Sequence, residues 1–174
     1  QFIATSYLPK PKNLKSVVLI NLKNGTFEIT PNGHKLRPFD RADFLTYQLP
    51  FAYDPKATAP QFEKYLNEVQ PDKLRQLILA EYLGYVFVSA SDLKLEKALI
   101  LYGGGANGKS VFFEGVNALF GSENVSGYSL ESLTDKEGYF RAMILNKLLN
   151  YASELNASQA TTDKTKQLIS GEKI

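Results

Sequence analysis

Residues 101–111 read LYGGGANGKSV, and this stretch governs what the surrounding chain is expected to form. Positions 103–110 match the pattern G-x-x-x-x-G-K-S/T at every specified position. Glycines let the backbone turn with positive φ and bring N–H groups against phosphate oxygens, and a following helix adds its positive N-terminal end. The stretch therefore predicts a loop that holds the phosphates of a nucleotide. The alternative is a glycine-rich turn with a solvated lysine.

The flanks of this loop favour the first interpretation. The run Ala98–Tyr102 is uninterrupted and apolar, which is typical of a buried parallel strand. Apolar residues then recur at helical spacing from Val111 to Phe120, until Gly121 ends the pattern. The loop is thus expected to join a strand to a helix.

Each position of the loop has an expected role in binding ATP and Mg²⁺. Lys109 would reach the β and γ phosphates, and the Ser110 hydroxyl would be a ligand of Mg²⁺. The expected nucleotide-binding residues are Gly103, Gly104, Gly105, Ala106, Asn107, Gly108, Lys109, Ser110 and Val111.

Hydrolysis also needs a carboxylate near the metal, usually at the end of a neighbouring strand. Glu154 is the best candidate, because it ends the stretch 147–154, which is expected to be a strand. Two acidic residues ordinarily stand together at such a place, and this chain has Ser153 before Glu154. The predicted catalytic residues are therefore Lys109 and Glu154, with Ser110 and Glu154 at the metal. The alternative for Glu154 is a solvated side chain at a strand end.

Further elements are expected around these motifs. Residues 124–128 can form another strand, and Ser132 with Asp135 is typical of the cap of a helix that runs through 139–144. Thr161 or Thr162 can start a last helix that buries residues 168 and 169 and ends at Gly171. The order strand, loop, helix, strand, helix, strand, helix fits a three-layer α/β sandwich that is unfinished in this chain.

The preceding residues predict a small β-rich segment and a helical hairpin. A hairpin is expected from 16–22 and 26–29 around Asn24–Gly25, and a strand over 44–51. A linker is expected over 53–60. The helix after it carries Phe62, Tyr65, Leu66 and Val69 on one face. A second helix has apolar residues at positions 74, 77 and 78 along one face and ends near Gly84. The expected domains are 1–55 (β-rich), 56–95 (helical) and 96–174 (the first part of a P-loop ATPase).

Composition narrows the class of protein. The chain has 174 residues, 44% hydrophobic and 22% charged, with a net charge of +2, as in a soluble globular protein. No cysteine and a single histidine, His34, exclude disulfides and thiolate or histidine-cluster metal sites. No apolar run is long enough to span a membrane, and a cytoplasmic location is expected. The lysines at positions 10, 12 and 15 are interpreted as a solvated segment rather than a DNA-binding one.

The loop with Asn107 before Gly-Lys-Ser resembles that of superfamily-three helicases in phage and plasmid primase-helicase proteins, relatives of the poxvirus primase-helicase. Five other stretches are similar to the same family. Residues 20–26 with 45–50 resemble the segment before its helicase, and residues 82–85 resemble the end of its helical region. Residues 146–154 resemble its second nucleotide motif, and residues 166–172 the run that follows.

The resemblance implies an AAA+-like P-loop fold and an ATP-driven DNA helicase that acts on single-stranded DNA in replication, usually as a ring-shaped hexamer with ATP sites between subunits. It also implies that the polar sensor residue, DNA-binding hairpin and arginine finger follow Ile174, so the chain is expected to be a piece of a longer protein, inactive alone. No primase active site is visible in these residues.

Two other hypotheses remain open. A P-loop kinase that phosphorylates a small acceptor would share the loop, but it would normally supply arginines in a lid, and Arg141 is the only arginine after the loop. A nucleotide-dependent assembly module would bind nucleotide without turnover. DNA-stimulated ATP hydrolysis would separate the helicase from both.

Overall fold

The computed structural model describes residues 16–89, 92–155, 158 and 161–172. Five strands occur in this part of the chain: β1 Val18–Leu22, β2 Gly25–Thr30, β3 Gly33–Arg37, β4 Val125–Ser126 and β5 Leu149–Asn150. The α-helices described are α1 Pro60–Val69, α2 Lys73–Tyr85, α3 Lys109–Phe120, α4 Leu130–Leu133, α5 Tyr139–Met143 and α6 Asp163–Ser170. The lysine segment at positions 10, 12 and 15 lies outside the described residues.

The first three strands form an antiparallel sheet in the order β1-β2-β3. The predicted hairpin around Asn24–Gly25 is confirmed, with Leu22 opposite Gly25. A side chain at position 25 would collide with the Arg37 carbonyl of β3, which explains the glycine there. Residues 31 and 32 form the turn between β2 and β3, and β3 is a strand that the sequence analysis did not predict.

The strand predicted over 44–51 is wrong. This stretch runs beside β1 and bonds to it, with the Leu49 N–H donating to the Asn21 carbonyl at 2.9 Å and the Lys23 N–H donating to the Phe51 carbonyl at 2.9 Å. A regular ladder does not form, because Pro50 has no N–H to donate. In addition, the Tyr47 carbonyl accepts a hydrogen bond from the Asn21 side-chain amide at 2.7 Å rather than from a backbone N–H. Leu49 is nevertheless buried in the core.

The helical hairpin is confirmed, but the buried face of its second helix is not the predicted one. Pro60 is at the start of α1, and the Asp72 side chain caps α2 by accepting from the Leu74 N–H at 2.9 Å. Leu79 and Leu83 of α2 pack on the core. The residues predicted to line this helix, 74, 77 and 78, are largely exposed. Helix α2 carries apolar residues on two faces, and the spacing alone cannot say which face meets the core.

Most predicted elements of the second half are present in shorter form. Helix α3 begins at Lys109 and ends at Gly121, β4 pairs with β5 in parallel, and Thr162 caps α6, which ends at Gly171. In α6, Leu168 is half-buried and Ile169 is 38% exposed, so the predicted burial of Ile169 is wrong.

The helix predicted to be capped by Ser132 is divided into α4 and α5. Ser129 caps α4, accepting from the Ser132 N–H at 3.1 Å, and α5 begins after Gly138, which has φ +74°. The Asp135 carboxylate accepts from the Gly138 N–H at 2.7 Å and stabilises the turn between them.

The buried strand predicted over Ala98–Tyr102 is not formed. These residues are described, yet they belong to neither sheet. Ile100 is 62% exposed and Tyr102 is 99% exposed. An apolar run predicts burial, but a strand also needs a backbone partner, and here residues 98–101 instead line a cavity of about 300 Å³ shared with residues 149–153. The second sheet consists of β4 and β5 among the described residues, and the three-layer sandwich therefore stays a prediction.

One core joins the two halves of the chain. Its buried side chains come from the N-terminal sheet and its flank (Leu22, Leu49) and from α3 and β4 (Phe112, Val116, Phe120, Val125). The domain boundaries at 55 and 95 are not decided by this shared core and stay predictions. Among the described residues, no helix is long and apolar enough to cross a membrane.

Candidate phosphate-binding site

The loop 103–108 leads directly into the first turn of α3. Gly108 stands at the N-cap with φ +84° and ψ −4°, a left-handed conformation that favours glycine. Its carbonyl accepts the Phe112 N–H at 3.0 Å, which closes the first helical turn. The N–H groups of residues 109–111 have no partner within the helix, as at every helix start. Such N–H groups can hydrogen-bond an anion.

The Lys109 ammonium lies over the loop. Its Nζ donates to the Gly103 carbonyl at 3.0 Å, the Gly104 carbonyl at 2.8 Å and the Asn107 Oδ1 at 2.6 Å. These three acceptors hold the cation at the mouth of the loop, beside the helix N-terminus. A phosphate entering there would meet both the ammonium and the unpaired N–H groups.

The backbone of the loop alternates in the sign of φ. Ala106 has φ +54° and Gly108 has φ +84°, while Asn107 between them is not among the positive-φ residues. Alternation of this kind lets successive N–H groups converge into a concavity that suits an anion. A positive φ at alanine is strained, and such strain is often found at binding sites.

The reason why a glycine is needed differs among the glycines of the loop. A Cβ at Gly103 would collide with the Asn107 amide nitrogen, and one at Gly108 would meet Val69 Cγ1 at 2.7 Å. At Gly104 and Gly105, a Cβ would meet nothing within 4 Å. Internal packing thus explains two of these four glycines, and the other two leave open space where a ligand can approach the backbone.

Two residues of α1 hold the loop, and the sequence analysis missed their role. The Tyr65 hydroxyl donates to the Gly108 carbonyl at 2.6 Å, and Val69 lies against the same glycine. The sequence analysis had placed Tyr65 and Val69 on one face of a helix, but nothing in the sequence signalled that this face meets the loop 43 residues later.

The remaining residues predicted for the site are open to solvent. Ser110 and Val111 follow Lys109 in the first turn of α3 and are both exposed. The Ser110 hydroxyl is therefore accessible to a metal ion beside the loop. Across the described residues, no cluster of three or more histidine, cysteine or acidic side chains could hold a metal.

Glu154 does not end a strand as predicted. The pairing of β5 with β4 ends with the Tyr151 N–H donating to the Ser126 carbonyl at 2.8 Å, because β4 is short and Gly127 follows it. Glu154 comes three residues later and is exposed. Lys109 and Ser153 line the same cavity, whereas Glu154 is not among the residues around it. The structure thus brings Lys109 near the segment of Glu154 without bringing the two charges together.

Asn150 ties this segment to β4. Its Oδ1 accepts from the Tyr128 N–H at 3.0 Å and from the Ser126 hydroxyl at 2.8 Å, and its Nδ2 donates to the Tyr128 carbonyl at 2.8 Å. In the structure this side chain extends the pairing where the backbone ladder stops. Beside it, Tyr151 stacks on Phe113 of α3, with ring centroids 3.8 Å apart.

Arg141 has a local structural role. Its guanidinium donates to the Leu133 carbonyl at 2.9 Å and to the Asp135 carbonyl at 2.8 Å, and its side chain is 22% exposed. These bonds join α4 to α5.

Comparison with known proteins found two family matches. Residues 9–71 match the model of a family described as D5 N terminal like, a domain of phage and viral primase-helicase proteins, which are enzymes. Residues 101–174 match a family of unknown function, DUF5906. No curated protein and no solved structure matched the chain. The first match supports a relation to the primase-helicase proteins and a role in DNA replication.

Proposed function

We propose that this chain is the ATP-binding part of a superfamily-three DNA helicase that couples ATP hydrolysis to DNA unwinding in phage- or plasmid-type replication. One observation carries the proposal. A segment similar to the N-terminal domain of primase-helicases is followed by a glycine loop that opens α3 with an ammonium in its mouth. By resemblance to the family, the full protein would act on single-stranded DNA in the cytoplasm. It would do so as a homo-oligomer, which in its ring form would be a hexamer.

Three features of the loop support a phosphate ligand. The Lys109 ammonium is bound by three neutral oxygens, which do not neutralise its positive charge, so the charge can attract an anion. The first N–H groups of α3 lack helical partners. Gly104 and Gly105 leave open space beside the backbone. Together these features provide positive charge, donors and room at one place, which a triphosphate requires.

The roles of the individual residues follow from this arrangement. Lys109 would exchange its bonds to the loop carbonyls for bonds to the β and γ phosphates, and Ser110 would hold Mg²⁺. Bound Mg²⁺ would neutralise charge on the phosphates during transfer. Glu154, exposed on the segment after β5, would orient and deprotonate the attacking water.

Binding of Mg·ATP to this chain is the first test. Lys109→Ala should weaken binding about 10- to 100-fold, because a charge-assisted hydrogen bond contributes roughly 1.5–3 kcal/mol. Lys136→Ala, which removes the same charge at an exposed position between α4 and α5, is the matched control and should bind as the wild type does. Equal affinity of the two variants would overturn the proposed phosphate site.

Hydrolysis by the full protein is the second test, measured with and without single-stranded DNA together with the size of the protein in solution. The proposal expects phosphate release that DNA stimulates and that Glu154→Gln abolishes while nucleotide still binds. Glu137→Gln, at another exposed glutamate, is the control and should hydrolyse ATP normally. Hydrolysis that ignores DNA but requires a small hydroxyl compound would indicate a kinase. Nucleotide-dependent oligomers without phosphate release would indicate an assembly module.

A further inference from the structure

Helix α1 packs across the start of α3 through two close contacts at glycines. Phe62 lies against Gly115, where a Cβ would meet its ring at 3.2 Å, and its ring centroid is 6.5 Å from that of Phe112. One and two turns further along α1, Tyr65 and Val69 lie against Gly108. The face of α1 that the sequence predicts as apolar is thus seated on the helix that carries the loop.

The contact with Gly108 includes a hydrogen bond to a particular peptide unit. The Tyr65 hydroxyl donates to the Gly108 carbonyl at 2.6 Å. This carbonyl belongs to the planar peptide that joins residues 108 and 109, in which the N–H of Lys109 points opposite to the carbonyl. A hydroxyl that fixes the carbonyl toward α1 therefore directs the Lys109 N–H away from α1. That N–H has no partner in the helix and is free to meet an anion.

The fixed orientation matters because glycine resists rotation poorly. Gly108 is in the left-handed region, and glycine can adopt many other backbone conformations at little steric expense. The helical bond from the Phe112 N–H at 3.0 Å restrains the same carbonyl from the α3 side. Tyr65 adds a second restraint from outside the helix. A tyrosine hydroxyl is protonated at neutral pH, and burial raises the pKa of Tyr65 further, which favours the form that donates this bond.

We propose that Tyr65 is a positioning residue for the phosphate loop, with its hydroxyl fixing the 108–109 peptide so that the Lys109 N–H faces the phosphate. The proposal rests on the proposed function, because it assumes that this loop binds phosphate. It adds that α1 orients one hydrogen-bond donor of the nucleotide site, the Lys109 N–H. Helix α1 lies in the segment that matches the family described as D5 N terminal like. Any displacement of α1 would then turn this peptide and weaken phosphate binding.

The test compares Tyr65→Phe with Tyr139→Phe. Phenylalanine keeps the ring that packs on α3 and removes only the hydroxyl, and thermal unfolding verifies that the fold is kept. Tyr139 loses the same hydroxyl from a ring that is 63% exposed on α5. The measurements are the ¹⁵N–¹H amide signal of Lys109 in the nucleotide-free chain and the affinities for Mg·ADP and Mg·ATP.

Tyr65→Phe should shift the Lys109 amide signal without nucleotide and weaken both affinities about five- to tenfold, the loss of one restrained hydrogen bond. Tyr139→Phe should change neither. An unchanged Lys109 signal with wild-type affinity in Tyr65→Phe would overturn the positioning role. If the signal shifts in Tyr65→Phe but the wild type binds neither nucleotide, the control of the peptide by Tyr65 is supported and the nucleotide function fails.

Discussion

Replacing Gly108 by alanine is the sharpest test of how the loop is built. At φ +84° an alanine is in the left-handed region, which destabilises an ordinary residue by roughly 1–2 kcal/mol. The added Cβ would also lie 2.7 Å from Val69 Cγ1 and 3.2 Å from Tyr65 Cε2. Overpacking of this kind destabilises by about 1–3 kcal/mol. Val69 cannot turn away easily, because a β-branched side chain in a helix has essentially one χ1 rotamer.

The two contributions give an expected destabilisation of about 2–5 kcal/mol. The lower half of this range is favoured because Val69 is the last residue of α1, and a helix end can shift by a few tenths of an ångström. Urea unfolding followed by circular dichroism measures the difference. The matched control is Gly105→Ala in the same loop. The φ of Gly105 is not positive, and a Cβ added there would meet nothing within 4 Å. This control should be neutral or slightly stabilising, by about 0.4–1 kcal/mol.

A Val69→Ala background separates the two causes. It removes the contact at Cγ1 but leaves φ and the contact with Tyr65 unchanged. Gly108→Ala should therefore destabilise less there than in the wild type, with the cost approaching the backbone share of about 1–2 kcal/mol. The reasoning would be refuted if Gly108→Ala and Gly105→Ala unfold at the same urea concentration. An equal effect of Gly108→Ala in both backgrounds would show that the contact with Val69 does not contribute.

Two further predictions concern stability. Asn150→Ala should destabilise the fold by about 1–3 kcal/mol in urea unfolding, because it removes the side chain that bonds to the backbone of Tyr128 and to the Ser126 hydroxyl. Asn150→Asp keeps the acceptor oxygen and should destabilise the fold less. An unchanged urea midpoint for Asn150→Ala would contradict this role. The pKa of Glu28 is lowered from 4.5, chiefly by its hydrogen bond from Arg37, so this carboxylate stabilises the fold above about pH 4.5 and the stabilisation is lost as the pH falls through the lowered pKa. Glu28→Gln should therefore flatten the fall of Tm on acidification from about pH 5 to pH 3, and a slope equal to that of the wild type would refute the assignment.

The elements that the sequence predicted well are those with local signals at both ends. Helix α3 follows a left-handed glycine and ends at another glycine, and α6 begins at a capping threonine. Helix α1 has proline at its first position. Each signal acts within one turn of the chain, and its effect is therefore the same whatever surrounds it.

The predictions that failed depended on distant partners. Residues 98–102 and 44–51 have the composition of strands, yet a strand exists only where another backbone can bond to it. The first stretch lines a cavity, and in the second Pro50 prevents a ladder. The buried face of α2 was misjudged for a similar reason, because apolar residues occur on two of its faces and only the neighbouring core selects one.

For the candidate site, the sequence by itself determined the loop: glycines at fixed spacing, Lys109 and Ser110, and the helix start that follows them. These features are local, because a few consecutive residues determine both the turn and the donors. Only the tertiary structure decided that Tyr65 of α1 holds the Gly108 carbonyl, that Asn150 extends a short strand, and that Glu154 lies beyond the end of β5. Each of these depends on contacts between residues more than 20 positions apart or on how far two strands pair, and spacing along the chain cannot encode them.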